Sequence, residues 1–421
     1  MQTFDLQYGT THQTISLPEG LRADVFAPQD APPAPEPLAR VRQALREPTG
    51  PADLASFAGA RAVVIAINDK TRPVPHEHLL PPLLDHLNSL GIPDAAITFA
   101  IATGTHIPMP AAEFDRVLSP ELLARCAVYS HDCDAADLLD LGATSRGTPI
   151  RVNRRFMAAD LRIVVGNIEP HHFMGYSGGV KTASIGMTGR ATINQNHSWI
   201  SDANARTAHY EDNPMRQDVE EIGQRIGVHF AVNAVLNNHK EIVEVFAGVP
   251  VAVMQAGIPV VKRLCQVRVP HPYDLVIASA GGYPKDINFY QAQKALTHAA
   301  MFTRDGGTII LLAACAEGLG SAGFARIMSG AQTFEEVYAK FRQQGFEVGP
   351  HKALLVGRDA QRVRIIVVSD MSAETVRGIL LTPAESPAAA LALALSGLPE
   401  PAAGLRAVVL PIATITVPEI I

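Results

Sequence analysis

The sequence predicts an α/β protein of two domains, each built on a mainly parallel sheet flanked by helices, with the active site in the interdomain cleft. Three observations carry this expectation. Short β-branched runs alternate with longer stretches of helical spacing, as in β–α–β layers. Two such sets flank Pro270-His271-Pro272, where two prolines resist helix and sheet alike. The 421 residues, 47% hydrophobic and 18% charged, exceed the usual size of one domain, about 100–200 residues.

In chain order, the first strands are predicted at 62–67, 96–102, 161–165, 229–236 and 241–246. Between the first two, 81–90 reads as a helix, with prolines in its first turn and leucines at helical spacing. A second set of strands is predicted at 274–278, 308–312, 353–356 and 363–368. Segment 388–395, rich in Ala and Leu behind Pro387, reads as a buried helix. The apolar run 407–416 follows the Pro/Ala/Gly-rich 397–404 and is expected to return to the first sheet. The expected division is therefore 1–266 plus 405–421 for an N-terminal domain and 267–404 for a C-terminal one.

Composition narrows the function. A net charge of -6 without a long block of Lys or Arg gives no reason to expect a nucleic-acid partner. The start, Met1-Gln2-Thr3-Phe4-Asp5-Leu6, lacks the basic and apolar regions of a signal peptide. No apolar stretch approaches the ~18–20 residues that span a bilayer. Cys126, Cys133, Cys265 and Cys315 form no CxxC pair, so a reduced, cytoplasmic enzyme is expected.

Ligands of open α/β sheets bind beyond the carboxyl ends of the strands, and four polar clusters follow predicted strands. The first is Asn68-Asp69-Lys70-Thr71-Arg72-Pro73. Arg72 offers a planar fork for carboxylate or phosphate, and Asp69 can orient it or bind a ribose hydroxyl; a solvated, helix-capping turn is the bland alternative. The second, Thr103-Gly104-Thr105-His106, projects an imidazole from a strand end.

The third runs from Gly166 to Lys181, through Pro170-His171-His172 and Gly175-Tyr176-Ser177-Gly178-Gly179. Its glycines free backbone N–H groups to meet an anion, and its lysine adds charge or a nucleophile. It matches neither the ATP-binding P-loop nor a dinucleotide fingerprint. Beyond it, Asn196-His197 adds a further imidazole, the commonest transition-metal ligand. The fourth cluster spans Gly281 to Leu296. A helix beginning near Asn288 places Tyr290 and Lys294 on one face with Gln291 beside them; an amphipathic helix with a solvated lysine is the alternative.

Together these clusters resemble the nickel-dependent lactate racemases and their 2-hydroxy-acid relatives. The shared pattern is Asp69-x-Thr71-Arg72, Gly104-Thr105-His106, Pro170-His171-x-Phe173-x-Gly175-x-Ser177-Gly178-Gly179-x-Lys181, Asn196-His197 and Tyr290-Gln291-x-x-Lys294. The resemblance implies a nickel-pincer nucleotide, a pyridinium mononucleotide whose two sulfur-bearing arms and one ring carbon grip nickel. It implies covalent attachment at Lys181, metal ligation by His197, and cofactor contacts from Asp69, Lys70, Thr71 and Arg72 in a cofactor-binding N-terminal domain. His106 and His171 correspond to the acid/base pair, and Arg72, Tyr290, Gln291 and Lys294 to substrate-binding positions. Cofactor-biosynthesis proteins are then implied partners.

The chemistry accounts for the residue types. A carboxylate stabilises a neighbouring carbanion poorly, so hydride removal to a planar 2-keto acid is the easier path. Opposite enantiomers present their hydroxyls in opposed directions and call for two bases, for which imidazole is suited near neutral pH. Three features depart from the expected pattern: His172 beside His171, the Ser184-Ile185-Gly186-Met187 turn, and His131-Asp132-Cys133-Asp134, which has no assigned role. Two rival readings are a zinc hydrolase using His106, His171, His172 and His197, and a non-catalytic protein that binds a nucleotide or hydroxy acid.

Overall fold

The computed structural model describes residues 2–72, 74–344, 349–397 and 404–421. It divides into two units, Asp30–Leu264 and Met1–Gln29 with Cys265–Ile421. The central strands of each, such as Val63–Asn68 and Tyr273–Ser279, are buried along nearly their whole length, as strands covered on both faces must be.

In the Asp30–Leu264 unit the sheet runs Ile242–Gly248, Phe230–Leu236, Leu161–Asn167, Val63–Asn68, Ile97–Ala102 and Ala127–Ser130. All neighbours are parallel except the first pair. The chain fills one side of Val63–Asn68 and then crosses to the other with Leu161–Asn167, so the strand order reverses between these two. Ligands collect at such a switch point, because the connections diverge there and leave a crevice at the strand ends. Ile65, Phe99, Ile163 and Val232 of the sheet pack with Leu79, Leu83 and Leu87 of helix His76–Ser89. That helix begins earlier than proline-first reasoning predicts and carries Pro81 and Pro82 in its interior. Its buried leucines hold it against the sheet despite the amide donors lost.

The other unit contains a six-stranded, all-parallel sheet ordered Thr382–Ala384, Arg364–Val368, Thr303–Leu312, Tyr273–Ser279, Ala407–Leu410 and Ala23–Val25. The expected return of the tail to the first sheet is therefore corrected: Ala407–Leu410 pairs with Tyr273–Ser279 and Ala23–Val25. The chain passes between units at 29/30 and 264/265, rather than at the prolines near 270. Those lie between strands Gln266–Val269 and Tyr273–Ser279 of one unit.

Residues 353–356, expected as a strand, belong to helix Lys352–Ala360. A four-residue apolar run fits a buried helix as well as a strand, and periodicity alone does not separate them. Helix Pro387–Leu395 forms as predicted, capped by Ser386. Among the described residues no helix is long and apolar enough to cross a membrane, and all four cysteines are buried thiols outside any disulfide.

Candidate functional site

Three of the four clusters lie in the Asp30–Leu264 unit, around its switch point. At the end of Val63–Asn68 the chain turns, with Arg72 N–H donating to the Asp69 carbonyl (3.0 Å). The Asp69 carboxylate is 3% exposed. Its Oδ1 accepts from Thr71 N–H (2.9 Å) and the Thr71 hydroxyl (2.6 Å), and its Oδ2 accepts from His106 Nδ1 at 2.5 Å. Burial works to raise this carboxyl's pKa, but the His106 and Thr71 hydrogen bonds outweigh it and hold the group below the usual range. With Nδ1–H committed to a carboxylate, the imidazole keeps its lone pair on Nε2. Arg72 leans back on Thr71, its Nη1 at 3.3 Å from the Thr71 carbonyl and hydroxyl oxygens. Lys70 instead points to the surface and pairs with Glu113.

The glycine-rich segment leaves Leu161–Asn167 and makes a two-pair hairpin that sets His171 opposite Gly175. Gly175 has φ +74°, and a Cβ there would sit 1.7 Å from the His209 carbonyl oxygen, so only glycine fits. Met174 N–H donates to His171 Nδ1 (3.3 Å), which puts any proton of the neutral ring on Nε2. Two residues absent from sequence reasoning brace this segment. Arg216, with a wholly buried side chain, donates to the Tyr176 (3.0 Å) and Gly178 (3.1 Å) carbonyls and pairs with Glu220. Asn233 Oδ1 accepts from Gly179 N–H at 2.7 Å. The i,i+4 spacing of Arg216 and Glu220 is visible in sequence, but reads as a surface pair.

The turn delivers Lys181 to the first position of helix Lys181–Ser184. Burial, aided by the nearby positive charges of Arg72 and Arg216 and opposed by Glu169, brings its ammonium down to about 7. His197, buried at the end of helix Arg190–His197, has Nδ1 held by the Ile193 carbonyl (2.9 Å). Burial and then the charge of Lys181, against that hydrogen bond, lower its pKa to about 3, so the ring is neutral and Nε2 is its donor atom. Phe173 joins the imidazoles: its ring centroid lies 5.3 Å from that of His197, 4.5 Å from His171 and 4.3 Å from His172. His171 and His172 stack at 4.8 Å. Asp69, His106, Thr71, Arg72, Lys181, His197, Phe173 and His171 thus form one connected chain of contacts and charge interactions.

The His131-Asp132-Cys133-Asp134 segment proves to be a brace. His131 Nε2 donates to the Thr188 carbonyl (3.0 Å), the Cys133 carbonyl accepts from Arg190 N–H (3.1 Å), and Asp134 pairs with Arg190. It anchors the start of the helix that ends in His197. The altered turn has a steric role: a Cβ on Gly186 would lie 2.3 Å from the Thr182 carbonyl oxygen.

A mononucleotide with a charged headgroup fits two local features. Asn68 Oδ1 is buried without a hydrogen-bond partner among the described residues. A Cβ on Gly166 would come within 2.8 Å of that oxygen and 3.3 Å of Thr182 Oγ1, so the missing side chain leaves a polar cradle beside Lys181. Among the described residues, Asp132-Cys133-Asp134 is the only trio of His, Cys, Asp or Glu with converging ligand atoms. The histidines do not form the three-ligand centre that a zinc hydrolase requires.

The fourth cluster lies in the other unit, where Tyr273–Ser279 ends at that sheet's own switch point. Asn288 caps helix Phe289–Phe302 by accepting from Gln291 N–H (3.0 Å). Tyr290, Gln291 and Lys294 are half-buried along its first turns.

Residues 8–208 match the family description "Lactate racemase N-terminal domain", and residues 269–411 match "Lactate racemase C-terminal domain". The chain belongs to the lactate racemase family. It is 33% identical over 362 residues to a lactate racemase from Thermoanaerobacterium thermosaccharolyticum, covering 84% of each chain. It is 35% identical over 288 residues to one from Lactiplantibacillus plantarum, covering 68% of each. The solved lactate racemase apoprotein from T. thermosaccharolyticum superimposes with a TM-score of 0.90 at 28% identity, over 99% of this chain and 100% of that one. A Thermotoga maritima protein shares the fold at a TM-score of 0.63 and 16% identity, over 93% and 100% of the two chains. As a member of the lactate racemase family, the chain is an isomerase, and the family match accounts for its two α/β units.

Proposed function

We propose that the protein interconverts the enantiomers of a small 2-hydroxy acid, using a nickel-pincer nucleotide tethered to Lys181. The observation that carries this reading is the linkage of a near-neutral lysine, a neutral metal-capable imidazole and two differently held histidines around one switch point. When bound, the cofactor supplies a hydride acceptor and donor. His197 holds the metal through Nε2, and Asp69 to Arg72, with the Asn68–Gly166–Thr182 cradle, hold the nucleotide. Lys70, tied to Glu113, contributes to this through its backbone position.

His106, oriented by Asp69, takes the hydroxyl proton at Nε2 for one enantiomer. His171 serves the opposed hydroxyl: its cationic form gives the proton from Nε2 and returns to the neutral base, with Nδ1 letting go of Met174 N–H while it carries its own proton. Each ring is a base when neutral and an acid when protonated, so the pair serves both directions of a two-base racemisation. Arg72 offers a fork for a carboxylate, and Tyr290, Gln291 and Lys294 are the further substrate-binding positions that the family resemblance implies. A binding protein without catalysis has no use for two imidazoles held in this way, because an anion is held by permanent cations.

The test is whole-protein mass spectrometry and metal analysis on chain expressed with cofactor-making partners, followed by turnover of a Cα-deuterated 2-hydroxy acid. A mononucleotide adduct at Lys181, bound nickel and label retained in the inverted product are expected. Bound zinc without an adduct, or label lost to water, refutes the reading.

A further inference from the structure

Helix Pro214–Ile226 carries no residue assigned above to chemistry, yet it holds three segments that do. Its cap, Asn213, donates from Nδ2 to the Phe173 carbonyl (2.9 Å). The Ser184 hydroxyl, on the short helix of Lys181, donates to the Val219 carbonyl (2.8 Å). Asn196, one residue before His197, donates from Nδ2 to the Met215 carbonyl and to Asp218 Oδ2, both at 2.9 Å. Adjacent residues of one helix, Asp218 and Val219, thus hold the helices of His197 and Lys181.

Asp218 is wholly buried. Its Oδ1 accepts from the Thr144 hydroxyl (2.6 Å), and its Oδ2 accepts from the Thr148 hydroxyl (2.8 Å) as well as from Asn196. These three donors are neutral, so they offset the desolvation of the charge only in part. A carboxylate contributes something else here: two acceptor-only oxygens with about four lone-pair sites, on which donors from separate elements converge. Thr144 and Thr148 come from the turn between strands Leu139–Ala143 and Pro149–Val152, which Thr144 N–H closes on the Thr148 carbonyl (2.9 Å).

The Asn196 amide is used for its donors. Both atoms that its nitrogen meets are acceptors, which fixes its orientation, and its Oδ1 is buried without a hydrogen-bond partner among the described residues. Helix Arg190–His197 has eight residues, short of the ~12–15 that a helix needs to hold in water alone, so its position is set from outside. Asp134 holds its first residue, and Thr192 Oγ1 accepts from Arg151 N–H (3.0 Å) along its length. The contact between Asn196 and Asp218 lies directly before His197.

We propose that Asp218 is a positioning residue: through Asn196 it fixes the end of helix Arg190–His197, and thereby the place of the His197 imidazole relative to Lys181. The consequence for metal binding rests on the reading of His197 as a metal ligand; the placement of the helix does not.

Three variants of the full chain separate this role from a general loss of stability. Asp218→Asn keeps one acceptor oxygen for Thr144 but turns an NH2 toward the Asn196 NH2, where two donors meet. Asn196→Ala removes the same link from its other end. Thr148→Val takes a different donor from the same carboxylate and leaves the link in place. Hydrogen–deuterium exchange of the cofactor-free protein, read by mass spectrometry, compares residues 190–197 with helix Pro214–Ile226 as an internal standard. Relative to that standard, Asp218→Asn and Asn196→Ala are expected to speed exchange in 190–197 by about tenfold or more, the scale of one hydrogen bond to a charged group, and Thr148→Val by less than about threefold. In cofactor-loaded protein the first two variants should release nickel to EDTA about tenfold faster or more, as changes behind a metal ligand do, with the Lys181 adduct unchanged by mass.

Relative exchange in Asp218→Asn equal to that of wild type, or an equal acceleration in Thr148→Val, overturns the inference. So does nickel release at the wild-type rate from both Asp218→Asn and Asn196→Ala. Wild-type protein that takes up neither adduct nor nickel overturns the cofactor reading instead, and the exchange pattern still decides the role of Asp218. If Asp218→Asn does not fold, Asn196→Ala decides both measurements.

Discussion

Replacing Asp69 by Asn tests the reasoning about the acid/base pair most directly. The carboxylate's Oδ2 takes the His106 Nδ1 proton at 2.5 Å while Oδ1 holds both donors of Thr71. Asparagine keeps the Thr71 contacts through its carbonyl oxygen but turns an NH2 donor toward His106. Two donors cannot share a hydrogen bond, so the ring shifts its proton to Nε2 and loses the lone pair needed to accept from a hydroxyl. General acid–base help is worth roughly 10²–10⁴ in rate, and losing it costs about 3–5 kcal/mol of barrier at 1.36 kcal/mol per decade. We expect Asp69→Asn to lower kcat by about 10²–10⁴ in both directions, with KM and cofactor content little changed. Chiral chromatography of lactate or malate turnover measures the rate, and nitrogen-15 NMR of His106 reports its tautomer directly. A variant within threefold of wild type, or one whose ring still carries its proton on Nδ1, refutes the assignment.

Lys181→Met should raise the melting temperature of the cofactor-free chain by about 2–5 °C at pH 6, measured by differential scanning fluorimetry. The lysine's pKa falls from 10.5 to about 7 in the fold, so the unfolded chain binds the extra proton between those values and wild-type stability rises with pH across that window. The gain from methionine is therefore largest below pH 7 and smaller at pH 9; an unchanged or lower value at pH 6 counts against a buried ammonium. Arg216→Leu strands the Tyr176 and Gly178 carbonyls and Glu220, and should cost about 3–5 kcal/mol. In urea this appears as a lower midpoint with unchanged slope, and a loss under about 1 kcal/mol would mean that solvent reaches the pair.

Much of this protein can be read along one dimension. Each central strand is a run such as Val63 to Ile67 that can only be buried on both faces, so α/β layering and the positions of most strands follow from local pattern alone. The candidate site residues stood out because chemistry-bearing side chains follow those strands, where a parallel sheet leaves its crevice. Asp69 and His106 sit just past such strand ends, and Lys181 and His197 lie on the two successive helices that come after Leu161–Asn167. The capping of helix Phe289–Phe302 by Asn288 is equally local.

Other features depend on which surfaces meet. The strand Ala407–Leu410 is apolar enough for either sheet, and only its pairing with Tyr273–Ser279 assigns it. Residues 353–356 suit helix or strand, and packing chose helix. Asp69 was legible as a polar turn residue, but its partnership with His106 spans 37 positions. Arg216 resembles a surface helix charge until the carbonyls of Tyr176 and Gly178 come within reach of it. Sequence determines local conformation because backbone sterics and burial periodicity act over a few residues. Hydrogen bonds and charges between distant segments depend on three-dimensional distance, which is set only when the layers pack.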